Sequence, residues 1–268
     1  MSTHLSPAEV EAFHDDGFHL RRRVLGEAEA ADCRRRLEAF EAASDGEGSV
    51  PKADLHLLFR WAWDLVHDPR IVDPVVDLLG PDVLLWSLNW FIKEAHSGKF
   101  VSYHQDATYW GLEPHDVVTA WVALSDASAA TGPMKFIPGT HRDSIFSHTT
   151  TYEDDNLLTR GQTIENGFDG ESAVLAPLRS GEMSLHHVRL VHGSEPNTTP
   201  DRRIGLVLRY CAPHVCQTKI ERDTATLVAG RDVHGNFDLM DAPTQDMGSA
   251  EVDRHRDAVE RLSRAILS

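Results

Sequence analysis

Alternation of apolar and polar positions begins abruptly at Val83 and divides the chain in two. From there Leu84, Trp86, Leu88, Trp90 and Ile92 alternate with Leu85, Ser87, Asn89, Phe91 and Lys93, a period of two that predicts a strand. One face of it gathers Ser87, Asn89 and Lys93. Further strands are expected at residues 100–104, 117–124, 134–137, 172–175, 183–188 and 204–211. Turn-forming groups such as Pro138-Gly139-Thr140 and Glu195-Pro196-Asn197 separate them.

Before Val83 the pattern is helical. Ser6 and Pro7 followed by Glu9 read as an N-cap, a first-turn proline and a capping-box partner, so a short helix is expected to end near Gly17. A run rich in Ala, Leu, Glu and Arg predicts a helix over 27–43, stopped by a loop over 44–49, and shorter helices are expected over 57–66 and 71–79. Val252, Val259, Leu262 and Ile266 give a last helix over 251–267 its apolar spacing. The polar, glycine-containing stretch 153–170 predicts a long loop suited to be an active-site lid. The expected architecture is mainly β with α: a jelly-roll, cupin-like core (a double-stranded β-helix) with flanking helices. It is read as a single domain, with a helical part over 1–80, the core over 83–212, and an extension ending in a helix over 213–268.

Composition narrows the function. Acidic residues outnumber basic ones 42 to 26, a field that repels nucleic-acid phosphates and anionic lipid headgroups, so neither partner is expected. No segment approaches the roughly 18 uninterrupted apolar residues of a membrane span. The first residues lack the order of a secretory signal and the Arg-rich character of a transit peptide, which points to the cytoplasm. Cys33, Cys211 and Cys216 lack paired spacing and read as reduced thiols rather than a disulfide framework or zinc knuckle. No feature of the pattern specifies an oligomeric state.

The 16 histidines direct attention to metal chemistry. An iron that binds O2 and a cosubstrate needs two histidines and one carboxylate on one face, leaving positions open. The sequence sign is His-x-Asp with a distant His, and the chain has four cases: His14/Asp16, His104/Asp106, His141/Asp143 and His255/Asp257. The first and last fall in predicted helices, where the two side chains project about 200° apart, and read as solvated surface pairs. His104 and Asp106 follow a strand-like stretch, where i, i+2 spacing puts both side chains on one side of an extended chain. His141 follows a turn and stays a minor alternative. For the third ligand His186, His187 and His192 compete. His192 ends an apolar run before Gly193-Ser194, eleven positions ahead of Arg203. The fork of an arginine suits the far carboxylate of a dicarboxylate cosubstrate. His186 and His187 fit supporting or pocket-lining roles, or those of ordinary half-buried histidines.

Taken together, YHQDATYW (103–110), Ala120-Trp121, TGPMKFIPGTH (131–141), LVHGSEPN (190–197) and RRIG (202–205) resemble the phytanoyl-CoA dioxygenase family of iron(II)- and 2-oxoglutarate-dependent oxygenases, in the family's order and spacing. The resemblance implies His104, Asp106 and His192 as iron ligands and Arg203, rather than Arg202, for the cosubstrate's distal carboxylate. It places Asn89 and Trp121 at positions lining the 2-oxoglutarate site. Strand alternation separately sets Arg203 on one face with Gly205 and Val207, and Arg202 on the other.

By the same resemblance, the implied cofactors are Fe(II), 2-oxoglutarate and O2, with succinate and CO2 released as a small-molecule substrate is hydroxylated. Related halogenases carry a small residue in place of the ligand carboxylate, so Asp106 argues against halogenation. Tyr109, Trp110 and Phe91 are candidates to enclose the substrate, or else barrel core. Lys93, Arg160 and Arg209 are candidate anion contacts, or else surface or salt-bridged residues, and His187 is a candidate substrate contact. Aminoalkylphosphonates and natural-product intermediates are the substrates suggested by resemblance. A fatty acyl-CoA is disfavoured because no basic cluster suits its phosphates. Two readings from other classes stand beside this one: a jelly roll that binds a ligand without catalysis, and a zinc site built on the same three residues.

Overall fold

The structure, a computed structural model, describes residues 4–44 and 52–267. Except for Ser44, which ends a helix, the loop expected at 44–49 lies outside the described residues.

Seven strands form the larger sheet, in the order β1 (Phe18–Arg23), β10 (Glu182–His187), β5 (Val117–Ala123), β12 (Arg203–Cys211), β2 (Val83–Lys93), β14 (Asp223–Ala229) and β15 (Phe237–Leu239). The smaller sheet runs β3 (Val101–His104), β11 (His192–Ser194), β6 (Met134–Phe136) and β9 (Val174–Ala176). Two ribbons complete the β structure: β4 (Leu112–Glu113) with β13 (Cys216–Gln217), and β7 (Thr149–Thr150) with β8 (Gln162–Thr163). The helices are α1 (Pro7–Asp16), α2 (Glu27–Ser44), α3 (Arg60–Val66), α4 (Pro69–Leu79), α5 (Ala107–Trp110) and α6 (Ser249–Leu267).

Strand alternation decides which side chains meet which layer. Val118, Ala120 and Val122 of β5, with Ile204, Leu206 and Leu208 of β12, pack outward against Phe13, Leu37, Val66, Ile71 and Val75 of the helices. The residues between them, Thr119 and Trp121 on β5 and Arg203, Gly205, Val207 and Arg209 on β12, face the other way. There Trp121 and Val207 pack with Met134 and Phe136 of the smaller sheet. A central strand buried on both faces is thus apolar on one and chemically diverse on the other. The expected jelly-roll core with flanking helices is the observed architecture.

Local departures have physical reasons. The alternation of β2 does not run unbroken, because the register against β12 shifts between Arg209 and Tyr210. Leu84 and Trp86 therefore pack on the side of Trp110, while Leu85 and Leu88 join the helix-covered cluster. The strand expected at 172–175 starts only at Val174, since Gly170–Ser172 forms a short 3-10 turn capped by Asp169. The helix expected at 57–66 is split into a 3-10 turn, Leu55–Leu57, and α3, whose first residue, Arg60, donates its N–H to Asp246 Oδ1 at 2.8 Å. Strand β1 carries no alternating apolar signal because it lies at the sheet edge and leaves Arg21 and Arg23 exposed. Strand β14 escapes the pattern as well, being built largely of Asp, Thr and Ala, and it extends the larger sheet beyond the 83–212 span. His255, expected at the surface, is buried in α6, with its Nε2 2.7 Å from Ala53 O, whereas His14 is exposed as expected. Among the described residues no helix is long and apolar enough to cross a membrane.

Candidate metal centre

His104 and His192 are directly opposed on the antiparallel strands β3 and β11, which brings their ring centroids to 4.2 Å. Each Nδ1 lies against a carbonyl two residues back, Ser102 O at 3.0 Å and Leu190 O at 2.9 Å. A proton on Nδ1 donated to that carbonyl leaves each Nε2 as a free lone pair. Both Nε2 atoms approach one carboxylate: Asp106 Oδ1 is 3.3 Å from His104 and Oδ2 is 3.9 Å from His192. The three donor atoms lie within 4.8 Å of one another. Asp106 arrives differently from the extended-chain expectation. Strand β3 ends at His104, and Asp106 has helical backbone angles as the residue preceding α5. Gln105, between them, points away as expected; its Nε2 donates to Arg189 O at 2.7 Å and its Oε1 accepts from Phe146 N–H at 2.8 Å.

Burial by itself would push the Asp106 carboxyl up, but the hydrogen bonds and charges of His104, His186 and His192 outweigh it and hold the group well below the usual range. Burial, with the neighbouring His104 charge, holds His192 well below its ordinary value. A His192 that resists protonation beside an ionised Asp106 favours a divalent cation over protons at this site. Two nitrogens and one carboxylate on one side suit iron(II) with open positions, and the donor types also suit zinc. His186, a fourth buried imidazole, has its Nε2 3.9 Å from Asp106 Oδ2.

The triad lies in the wall of a cavity of about 290 Å³ between the inner faces of the two sheets. Arg203 lines it, 1% exposed, and donates from Nη1 to Gly132 O at 3.1 Å. Its Nε and Nη2 are buried without a partner. Burial pushes its pKa down to about 10, and its guanidinium lies 5.2 Å from the Trp121 ring and 5.9 Å from that of Phe91. Buried cationic donors left unsatisfied are costly, and a carboxylate from a bound dicarboxylate satisfies both at once. On these observations the cavity fits a metal with a dicarboxylate partner.

Asn89, Trp121, Phe91, Tyr109 and Trp110 also line the cavity, which brings together most of the residues singled out in the sequence. Three candidate contacts lie elsewhere. Lys93 opposes Arg203 across β2 and β12, but its ammonium turns to Ser194 Oγ at 2.6 Å and to the Glu195 carbonyl, and burial pushes its pKa down to about 6. His187 falls on the face of β10 opposite to His186; its ring is 5.3 Å from that of His141, and its Nδ1 accepts from Arg189 N–H at 3.1 Å. His141 is held by His14 O at 3.0 Å, which sets that His-x-Asp pair apart from the triad. Arg160 donates to the Leu267 carbonyl and sits 5.9 Å from the Tyr109 ring, and it is not among the residues that line the cavity. Thr119, Ser194 and Ile266 also line the cavity, although the sequence marked none of them as a site residue, because a short polar side chain and the last turn of a helix do not by themselves point to a pocket. Leu157, Leu158 and Gln162 bring the segment expected as a long loop to the same wall.

Comparisons with known proteins follow the same geometry. The family model described as phytanoyl-CoA dioxygenase matches residues 4–205. A probable alpha-ketoglutarate-dependent hypophosphite dioxygenase of Stutzerimonas stutzeri is 33% identical over 162 residues, 59% of this chain and 55% of that protein. The ectoine dioxygenase of Halomonas elongata is 26% identical over 232 residues, 77% of this chain and 70% of that protein. The chain spans about half the length of the first curated relatives it matches. A solved apo structure of a non-heme monooxygenase, ThoJ, superposes with a TM-score of 0.85 at 33% identity, covering 96% of this chain and 97% of that one.

Proposed function

This chain belongs to the phytanoyl-CoA dioxygenase family, and we propose that it is an iron(II)- and 2-oxoglutarate-dependent oxygenase that hydroxylates a small organic molecule. The observation that carries the reading is the convergence of His104, Asp106 and His192 in one cavity wall with the unpartnered Nε and Nη2 of Arg203 in the same wall. His104, Asp106 and His192 would hold the metal, and Arg203 the distal carboxylate of 2-oxoglutarate, with Trp121 beside it and Asn89 farther along the same site. Iron(II) held there with 2-oxoglutarate would supply the oxidising chemistry, using O2 to hydroxylate the substrate with succinate and CO2 as the other products.

The protein's own share is positioning and exclusion of water. The Ser102 and Leu190 carbonyls fix the two imidazole tautomers, and the Asp106 carboxylate stays ionised without an external base. Trp121 and Phe91 flank the Arg203 guanidinium and keep its charge out of bulk water, where a charge-assisted pair is stronger. Tyr109 and Trp110 are proposed to enclose the substrate, with Asp106 in place of the small residue that halogenation requires. Two relatives are named for small molecules, hypophosphite and ectoine. Aminoalkylphosphonates and natural-product intermediates are the proposed substrates. The test is succinate formation from 2-oxoglutarate under air across such compounds: stimulation above the substrate-free rate supports the reading, and no succinate with any of them, with iron loaded, contradicts it.

A further inference from the structure

We propose that Arg209 anchors an anionic group of the molecule that is oxidised, so that this chain's substrates are organic anions bearing a carboxylate or a phosphonate. This inference rests on the iron and 2-oxoglutarate reading above.

Arg209 belongs to the inner face of β12, in a rung of the larger sheet made by Ser87, Arg209, Thr119 and His186. It lies six positions after Arg203 on the same face, about 20 Å of extended strand. The two guanidinium groups therefore serve different parts of the cavity, and one dicarboxylate bound at Arg203 leaves Arg209 available. Its Nη1 donates to two neutral acceptors, Asn89 Oδ1 at 2.6 Å and Ser87 Oγ at 3.1 Å. Its Nε is buried without a partner, and its guanidinium lies 4.7 Å from the Trp110 ring centroid. Among the described residues no carboxylate oxygen comes within 4.0 Å of it. Side chains that hold a guanidinium in place without neutralising it form a receptor for an anion rather than a structural ion pair.

The charge balance of the loaded site points the same way. The two positive charges of iron(II) and the one of Arg203 are matched by Asp106 and the 2-oxoglutarate dianion, which leaves Arg209 uncompensated. Asp106 and Asp54 are the carboxylates whose charges reach Arg209. Asp106 is committed to the metal. Asp54 accepts the Leu88 N–H at 2.7 Å, and burial pushes it up to about 7, so near neutral pH it carries only part of a charge. An uncompensated cation in a low-dielectric cavity is costly, and a substrate anion relieves that cost. On the same rung Thr119 Oγ1, buried and also without a partner, offers the anion a second donor. Leu157, Leu158 and Ile266 in the same cavity leave apolar surface for the carbon skeleton.

The experiment uses the full chain, anaerobic, with iron(II) and saturating 2-oxoglutarate. Tryptophan fluorescence follows titration with 2-aminoethylphosphonate and β-alanine, each beside the ester that masks its acid group, the dimethyl ester of the phosphonate and the methyl ester of the carboxylate. The expected result is that at least one acid binds ten times or more tightly than its ester, the preferred acid naming the class. Arg209→Gln removes that preference, Arg209→Lys keeps part of it, and both weaken 2-oxoglutarate binding far less than Arg203→Ala does, the remaining effect passing through Asn89. Esters that bind as tightly as the acids, an unchanged preference in Arg209→Gln, or loss of metal binding in both variants would overturn the proposal, the last by assigning Arg209 to the support of Asp106. Failure of the iron and 2-oxoglutarate reading shows separately, as absence of a visible charge-transfer band while the fluorescence titration remains readable.

Discussion

The Trp121 indole fills the space that a side chain at position 205 would need: a Cβ built on Gly205 comes within 2.0 Å of Trp121 Cζ2. Gly205 lies two residues along β12 from Arg203, whose guanidinium is 5.2 Å from that same ring. The absence of a side chain at 205 is what lets the indole lie beside the proposed anion site. Gly205→Ala is expected to displace the ring, lowering stability by about 1–3 kcal/mol through overpacking and weakening 2-oxoglutarate binding while metal affinity is kept. Urea denaturation and an anaerobic 2-oxoglutarate titration check the two effects. A variant with unchanged cosubstrate affinity would separate Trp121 from that site.

Arg203→Ala removes a charge-assisted pair but no metal ligand. Cosubstrate affinity is expected to fall at least thirtyfold, in line with about 2–5 kcal/mol for one partner of a buried charged pair. Iron affinity should change little. Arg203→Lys should recover only part of the loss, because an ammonium lacks the planar fork. Isothermal titration with 2-oxoglutarate and a chelator competition assay for iron give the two numbers. Equal cosubstrate affinity in wild type and Arg203→Ala would contradict the assignment.

Asp106→Asn keeps size and removes charge. With two neutral imidazoles as its remaining partners, the metal is expected to bind at least tenfold more weakly. The Arg203 end of the cavity should be undisturbed, so residual 2-oxoglutarate affinity in metal-free protein stays as in wild type. Competition against a chromogenic chelator reads the first effect and metal-free calorimetry the second.

The inner faces of the strands were more legible than the edges. Alternation through β2, β5 and β12 marked which residues face inward, and the order of histidine, carboxylate and distant histidine marked the candidate centre. Alternation did not reveal the β2 register shift, which arises only when Leu85 pairs with Tyr210. It also gave no reason to expect Lys93 beside Glu195 and Ser194 rather than in the cavity, since a strand position states a face but not where a long side chain bends. Strands β1 and β14 were invisible because solvent-facing arginines and small polar residues suffice at or near a sheet edge. His255 illustrates the reverse error: a histidine on a charged helix was expected at the surface, yet a single carbonyl, Ala53 O, makes its burial tolerable.

Stability is expected to fall with acid through His56. Burial pushes this imidazole down to about 3, and its Nε2 lies 3.1 Å from Thr226 Oγ1. Between that value and the ordinary 6.5 the unfolded chain binds the proton and the folded one does not, so this group favours unfolding increasingly as pH drops below 6.5. At pH 5.5 its share is about 1.4 kcal/mol. Denaturation of wild type and His56→Gln at pH 7.5 and 5.5 measures it. The variant is expected to be less stable at pH 7.5 but to lose less on acidification, and identical losses would refute the assignment.

The most direct measurement of the central claim is an anaerobic spectral titration of the full chain with iron(II) in the presence of 2-oxoglutarate. One equivalent of metal per chain should raise a weak visible charge-transfer band that is absent in His192→Ala and, without loss of metal, in Arg203→Ala. Saturation of the protein with zinc that iron(II) cannot displace, or a loaded iron site that gives no band with 2-oxoglutarate, would contradict the account.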